Sequence, residues 1–130
     1  MPASPRERRG SRSIRTSPAV NAQAQLDDDE SVYHHCRRVI ALRKRMPVLV
    51  HGAYRDIDPE HASVFGYTRT SSDPQVLVLI HFGRETLAYA LPDGISVTEM
   101  LLDNGAGTTA TAGARHVTLA PWQATLYRCR

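Results

Sequence analysis

The chain has 130 residues but only two cysteines, Cys36 and Cys129. They stand too far apart to form the framework by which small secreted domains staple themselves, so free, buried thiols are expected. Aromatic residues are scarce at 6%. No eighteen consecutive apolar residues occur, and the start lacks the apolar stretch of a signal peptide, so no membrane partner and a cytoplasmic location are expected. No Gly-rich phosphate loop precedes a helix, and no GxSxG elbow presents a nucleophilic serine.

An excess of charge of either sign is missing from the body of the chain. The formal charge is +3, yet residues 1–25 hold Arg6, Arg8, Arg9, Arg12 and Arg15 against Glu7 alone. The remainder is close to neutral, which removes the main support for a nucleic-acid partner. Residues 1–26 read as a disordered basic leader, because Ser, Arg and Pro cannot bury enough surface to offset ordering entropy.

Chemistry-bearing residues are present but not grouped. His34, His35 and Cys36 adjoin one another in DDDESVYHHCRRVIALRKRMPVLV. Neighbours on a helix point about 100° apart, whereas ligands to one ion sit three or four residues apart. Cys36 is therefore expected in a core with the histidines flanking it, and His51, His61, His81 and His116 lie in separate runs. Neither a metal nor a cofactor is expected. Asp56, Asp58, Glu60, Asp73 and Asp93 fall in turns and Asp103 ends a strand, so no pair of carboxylates suits acid–base hydrolysis.

What is present is one helix and seven strands. The acidic run Asp27–Glu30 precedes Ser31, and Arg43, Lys44 and Arg45 end the periodic segment, matching the helix dipole at both ends. Val32, Cys36, Val39, Ile40 and Arg43 make one stripe, with Leu42 and Met46 on its shoulder. Pro47 stops the helix by pushing Met46 out of the α region. Strand-like runs follow: VLVHGAYRDI, SVFGYTRT, QVLVLIHF, TLAYAL, VTEMLL, HVTLA and WQATLYRC. Turns and the Gly-rich NGAGTTATAGA part them, which predicts a mainly β fold, an antiparallel sandwich or barrel of about seven strands. Gln75 to Phe82 is apolar nearly throughout and should be a central strand covered on both faces. Phe65 and Tyr67 share a face, as do Leu87, Tyr89 and Leu91, and Trp122, Ala124 and Leu126.

SVYHHCRRVIALRKRMPVLVHGAYRDIDPEHASVFGYTRT, followed by QVLVLIHFG, TLAYALP and LAPWQATLYR, resembles the C-terminal end of α-glucosidases of the α-amylase superfamily (glycoside hydrolase family 13), in the branch that includes oligo-1,6-glucosidases. The resemblance covers residues 27 to 130. It implies that residues 27–46 are like the last helix of a catalytic (β/α)8 barrel and that residues 47–130 form the C-terminal β-sandwich domain. It also implies that the catalytic Asp, Glu and Asp lie upstream of anything present here, since such a barrel alone takes about 250 residues. The implied role is non-catalytic support of that barrel, its partner, in the tail of an enzyme, such as a truncated or frameshifted gene would leave. His81 departs from the family's usual Asn, and Cys36 from its common Tyr.

Two other functions compete. A stand-alone carbohydrate-binding module would take α-glucosides by stacking them on aromatic faces, for which Trp122, Tyr54, Tyr89 and Tyr127 are the candidates. A binder of nucleic acid through the leader would lose affinity steeply with salt. For the helix, the apolar stripe predicts either folding back on the sandwich or self-association.

Overall fold

The computed structural model describes residues 21–72, 74–105 and 110–130. Among the described residues three helices, α1 (Ala22–Gln25), α2 (Val32–Arg45) and α3 (Val48–His51), precede seven strands. These are β1 (Ala53–Asp56), β2 (Val64–Thr70), β3 (Gln75–His81), β4 (Leu87–Ala90), β5 (Val97–Asp103), β6 (His116–Leu119) and β7 (Ala124–Cys129). Five strands form one antiparallel sheet in the order β1-β2-β3-β7-β5, and β4 pairs with β6 in a second. The protein is a mainly β, antiparallel sandwich. Its central strand is β3, with Val76, Leu77, Val78 and Leu79 all buried, as its unbroken apolar run dictates.

Alternation assigns the two faces. The inner face of the large sheet sends Val64, Leu77, Leu79, Val97, Tyr127 and Cys129 against Tyr89, Leu91, Val117 and Leu119 from the smaller sheet and its flanks. The outer face offers Val76 and Val78, on which Leu42, Met46 and Val48 of the helices pack. Two register shifts along β5 interrupt its pairing with β7, as bulges do near a sheet edge.

Three local structures depart from the sequence reading. VLVH, read as the start of a strand, is the helical turn α3, because Pro47 at φ −56° begins a helix as readily as it ends one. The break itself lies at Met46, with φ −121° and ψ 88°. Residues 22–25, assigned to the leader, form α1, whose first turn is capped by the Asn21 side chain accepting from the Ala24 amide at 2.9 Å. Residues 1–20 of that leader, and Asp73, lie outside the described residues. Trp122, read as a strand residue on the face of Ala124 and Leu126, instead sits in a turn at φ 59°. The Gln123 amide donates to Ala120 O across that turn at 3.2 Å. His81 Nδ1 lies 2.9 Å from the same oxygen, and Gln123 Oε1 accepts from the Ala120 amide at 2.8 Å. These bonds hold the turn although a bulky residue occupies a left-handed conformation.

Candidate docking face

The N-terminal end of α2 is fixed by a compact set of polar contacts. Ser31 Oγ accepts from the His34 amide at 3.4 Å and donates to Gln25 O at 2.8 Å, while Gln25 Oε1 accepts from the Tyr33 amide at 3.0 Å. His34 Nδ1 lies 2.9 Å from Asp28 O, a carbonyl that only accepts, so this nitrogen carries a proton and donates. Arg38 donates to Asp29 O at 2.9 Å. His34 is thus part of the helix cap, whereas His35 faces the groove described below. Cys36, expected in the core, is exposed.

That exposure follows from how α2 sits. Only the shoulder of its apolar arc meets the sheet, through Leu42 and Met46, which are 4% and 6% exposed. The stripe itself turns outward: Val32 is 71% exposed, Val39 40% and Ile40 53%. Between helix and sheet runs a groove of 320 Å³ lined by His35, Val39, Leu42, Leu49, Tyr67 and Leu126, among others. Arg69 ties α3 to β2 by donating to Val50 O at 3.0 Å.

Aromatics extend this apolar face along the sheet edge. Tyr54 and Tyr67 ring centres are 5.1 Å apart, and Phe65 lies 5.5 Å from Tyr67. Tyr54 Oη donates to Asp56 at 3.4 Å. Desolvation and the Asp56 carboxylate push its pKa up. Phe82 and Trp122 are also exposed. Isolated apolar side chains on a surface are ordinary, but a contiguous set of this kind marks an interaction site.

The four candidates for sugar stacking do not come together. Tyr127 is fully buried and Tyr89 nearly so, because each falls on the inward phase of its strand, and neither can offer a face to a pyranose. Tyr89 Oη instead donates to Asp58 at 3.2 Å; burial, then the Asp58 charge, push its pKa to about 12. Trp122 and Tyr54 do lie on the surface. Tyr54, on β1, is three strand positions from β7, which Trp122 precedes, about 14 Å at ordinary strand spacing.

The remaining polar groups serve the fold. His81 is buried, and His61 Nδ1 accepts from the Val64 amide at 3.0 Å. Asp93 pairs with Arg115, and Glu99 with Arg128 at 3.3 Å. Burial pushes the Cys129 thiol up to about 11. Among the described residues no three His, Cys, Asp or Glu side chains are grouped to hold a metal ion. No helix among them is long and apolar enough to cross a membrane.

A sandwich whose helix shows its apolar stripe to the outside has the form of a domain that shares that helix with a neighbour. The comparisons with known proteins name the class. No protein-family model matches, but the chain is 41% identical over 95 residues to the palatinase of Erwinia rhapontici, covering 73% of this chain and 17% of that protein. It is 32% identical over 112 residues to an oligo-1,6-glucosidase of Parageobacillus thermoglucosidasius, covering 85% of this chain and 20% of the relative. Among solved structures, the trehalulose synthase of Pseudomonas mesoacidophila MX-45 aligns with a TM-score of 0.81 at 37% identity, over 85% of this chain and 20% of that one. An isomaltulose synthase from Erwinia rhapontici NX5 aligns with the same TM-score at 34% identity, over the same shares. The chain matches the C-terminal part of glucosidase-type enzymes of glycoside hydrolase family 13. It spans about 20% of the length of these relatives.

Proposed function

We propose that this chain is a non-catalytic C-terminal domain of an α-glucosidase-like glycoside hydrolase, and that its work is to support a catalytic (β/α)8 barrel. The observation that carries the reading is the outward stripe of α2, with Val32, Val39 and Ile40 exposed on a helix otherwise well capped and anchored. Burying an aliphatic side chain completely contributes about 1.5–3 kcal/mol. Val32, Val39 and Ile40 are 71%, 40% and 53% exposed, so completing their burial would add roughly 2–5 kcal/mol in all, a sizeable part of a domain's net stability of about 5–15 kcal/mol. A helix held in place by its shoulder therefore leaves its main apolar face for a neighbouring domain. Hydrolysis of α-glucosidic bonds would belong to that neighbour, and the sandwich would hold the last barrel helix in position from behind.

A chimera tests this. The C-terminal fifth of the Parageobacillus oligo-1,6-glucosidase is replaced by residues 27–130 of this chain, and activity and melting temperature are measured. An active, cooperatively melting chimera is expected, and Val39→Asp with Ile40→Asp should destabilise it. Hydrolysis of an α-glucoside by the 130-residue chain alone would overturn the reading. So would quenching of Trp122 fluorescence by millimolar maltose in a chain that fails to support the barrel.

A further inference from the structure

The same stripe, in the 130-residue chain by itself, meets a second surface that fits it. We propose that two copies of this chain pair through α2, antiparallel, about a two-fold axis beside Cys36. A second copy and a barrel would compete for this one face, so the pairing applies to the 130-residue chain with no barrel packed on its stripe.

The geometry begins with the helix. At 100° per residue, Val39, Val32, Cys36 and Ile40 occupy a strip about 100° wide, with Cys36 near its middle. All four are exposed. Along the axis Cys36 is again the midpoint, four residues from Val32 and four from Ile40. A symmetric, isologous contact pairs residue i with j and j with i. With Cys36 at the axis, Val32 of each copy faces Ile40 of the other, and Cys36 faces Cys36.

Charge then selects the antiparallel arrangement. The arrangement that pairs Val32 with Ile40 sets Asp27, Asp28 and Asp29, in the turn before the Ser31 cap of α2, beside Arg43, Lys44 and Arg45 in the last turn of the other copy's α2, twice per dimer. All six side chains are exposed, and the Asp29 side chain is 99% exposed. Parallel pairing would instead set the three acids against acids and the three bases against bases. Antiparallel helices also align their dipoles favourably. Complementary potentials of this kind fix partner and register more than they add raw affinity.

Sedimentation velocity of the 130-residue chain, from micromolar to submillimolar concentration, reads the outcome. A reversible dimer is expected, weakening as salt rises because the facing charges are at the surface. Ile40→Asp should abolish it and leave the fold intact, since Ile40 makes no core contact. Reversing Arg43, Lys44 and Arg45 to Glu should separate the copies, and reversing Asp27, Asp28 and Asp29 to Lys in the same chain should restore them. A short bis-maleimide should join two copies in high yield, and Cys36→Ser should remove the product while Cys129→Ser leaves it. A monomer at all concentrations would overturn the proposal. A dimer insensitive to Ile40→Asp, or one that cannot be linked at Cys36, would place the contact on another face and overturn it equally. So would a monomer that binds anionic phosphatidylserine vesicles through the stripe.

Discussion

The two faces of the large sheet are both apolar, but they are finished to different degrees. The inner face is closed by the smaller sheet, and its leucines and valines reach essentially zero exposure. The outer face is closed only where α2 and α3 cross it, and beside them lie a 320 Å³ groove and an exposed aromatic edge. A sealed face accounts for folding. A half-covered face is where a domain meets something else, because the sequence keeps it apolar although water reaches it.

The contrast can be broken most forcefully from the inside. Leu79→Ala removes a fully buried side chain and should cost about 2–5 kcal/mol, read as a lower denaturant midpoint for the whole domain. Leu42→Ala should cost less, about 1–3 kcal/mol, because the site can partly collapse and lies at the rim of a groove. Its distinguishing mark is hydrogen exchange: α2 amides should lose protection while β3 and β7 keep theirs.

Alkaline titration separates the faces next. Tyr89 and Cys129 on the inside hold their protons more tightly folded than unfolded, with pKa values raised from 10.0 to about 12 and from 9.0 to about 11. The unfolded chain releases those protons first, so stability should be level up to about pH 9 and fall between pH 9 and 12. Tyr89→Phe should flatten the upper part of that fall in pH-dependent urea melts. The smallest effect is expected from Tyr127→Phe. Tyr127 Oη is buried without a hydrogen-bond partner, so removing it should be neutral or stabilising by up to about 1 kcal/mol in the same melts.

Much of the architecture was legible in the residues, and the reasons are local. β3 announces itself as an apolar run too long to alternate, and Ser31 after an acidic run marks the start of α2. VLVH was not legible, because four residues cannot display a period and Val–Leu–Val suits a strand as well as a helical turn. The exposure of Cys36 is not legible, because a stripe shows which residues belong together, not whether this chain supplies the surface that covers them. Tyr127, a candidate for sugar stacking by its residue type, shares a phase with Thr125 and Cys129. That phase, read instead of the one through Leu126, would have sent it to the core. The docking face was half legible: its residues follow from the stripe, its outward direction only from the packing of Leu42 and Met46.

β7 lies between β3 and β5, although it is made after both. Until Ala124–Cys129 have been synthesised, β3 lacks one neighbour and β5 has none in its sheet, so both keep backbone groups unpaired. The large sheet is therefore completed late, by insertion of a strand rather than by growth at an edge. Pairings so distant in sequence form slowly, and during that delay an open slot flanked by apolar strands is offered to any other chain nearby. The order of manufacture, rather than the stability of the finished fold, sets the moment at which this domain is most exposed to misassembly.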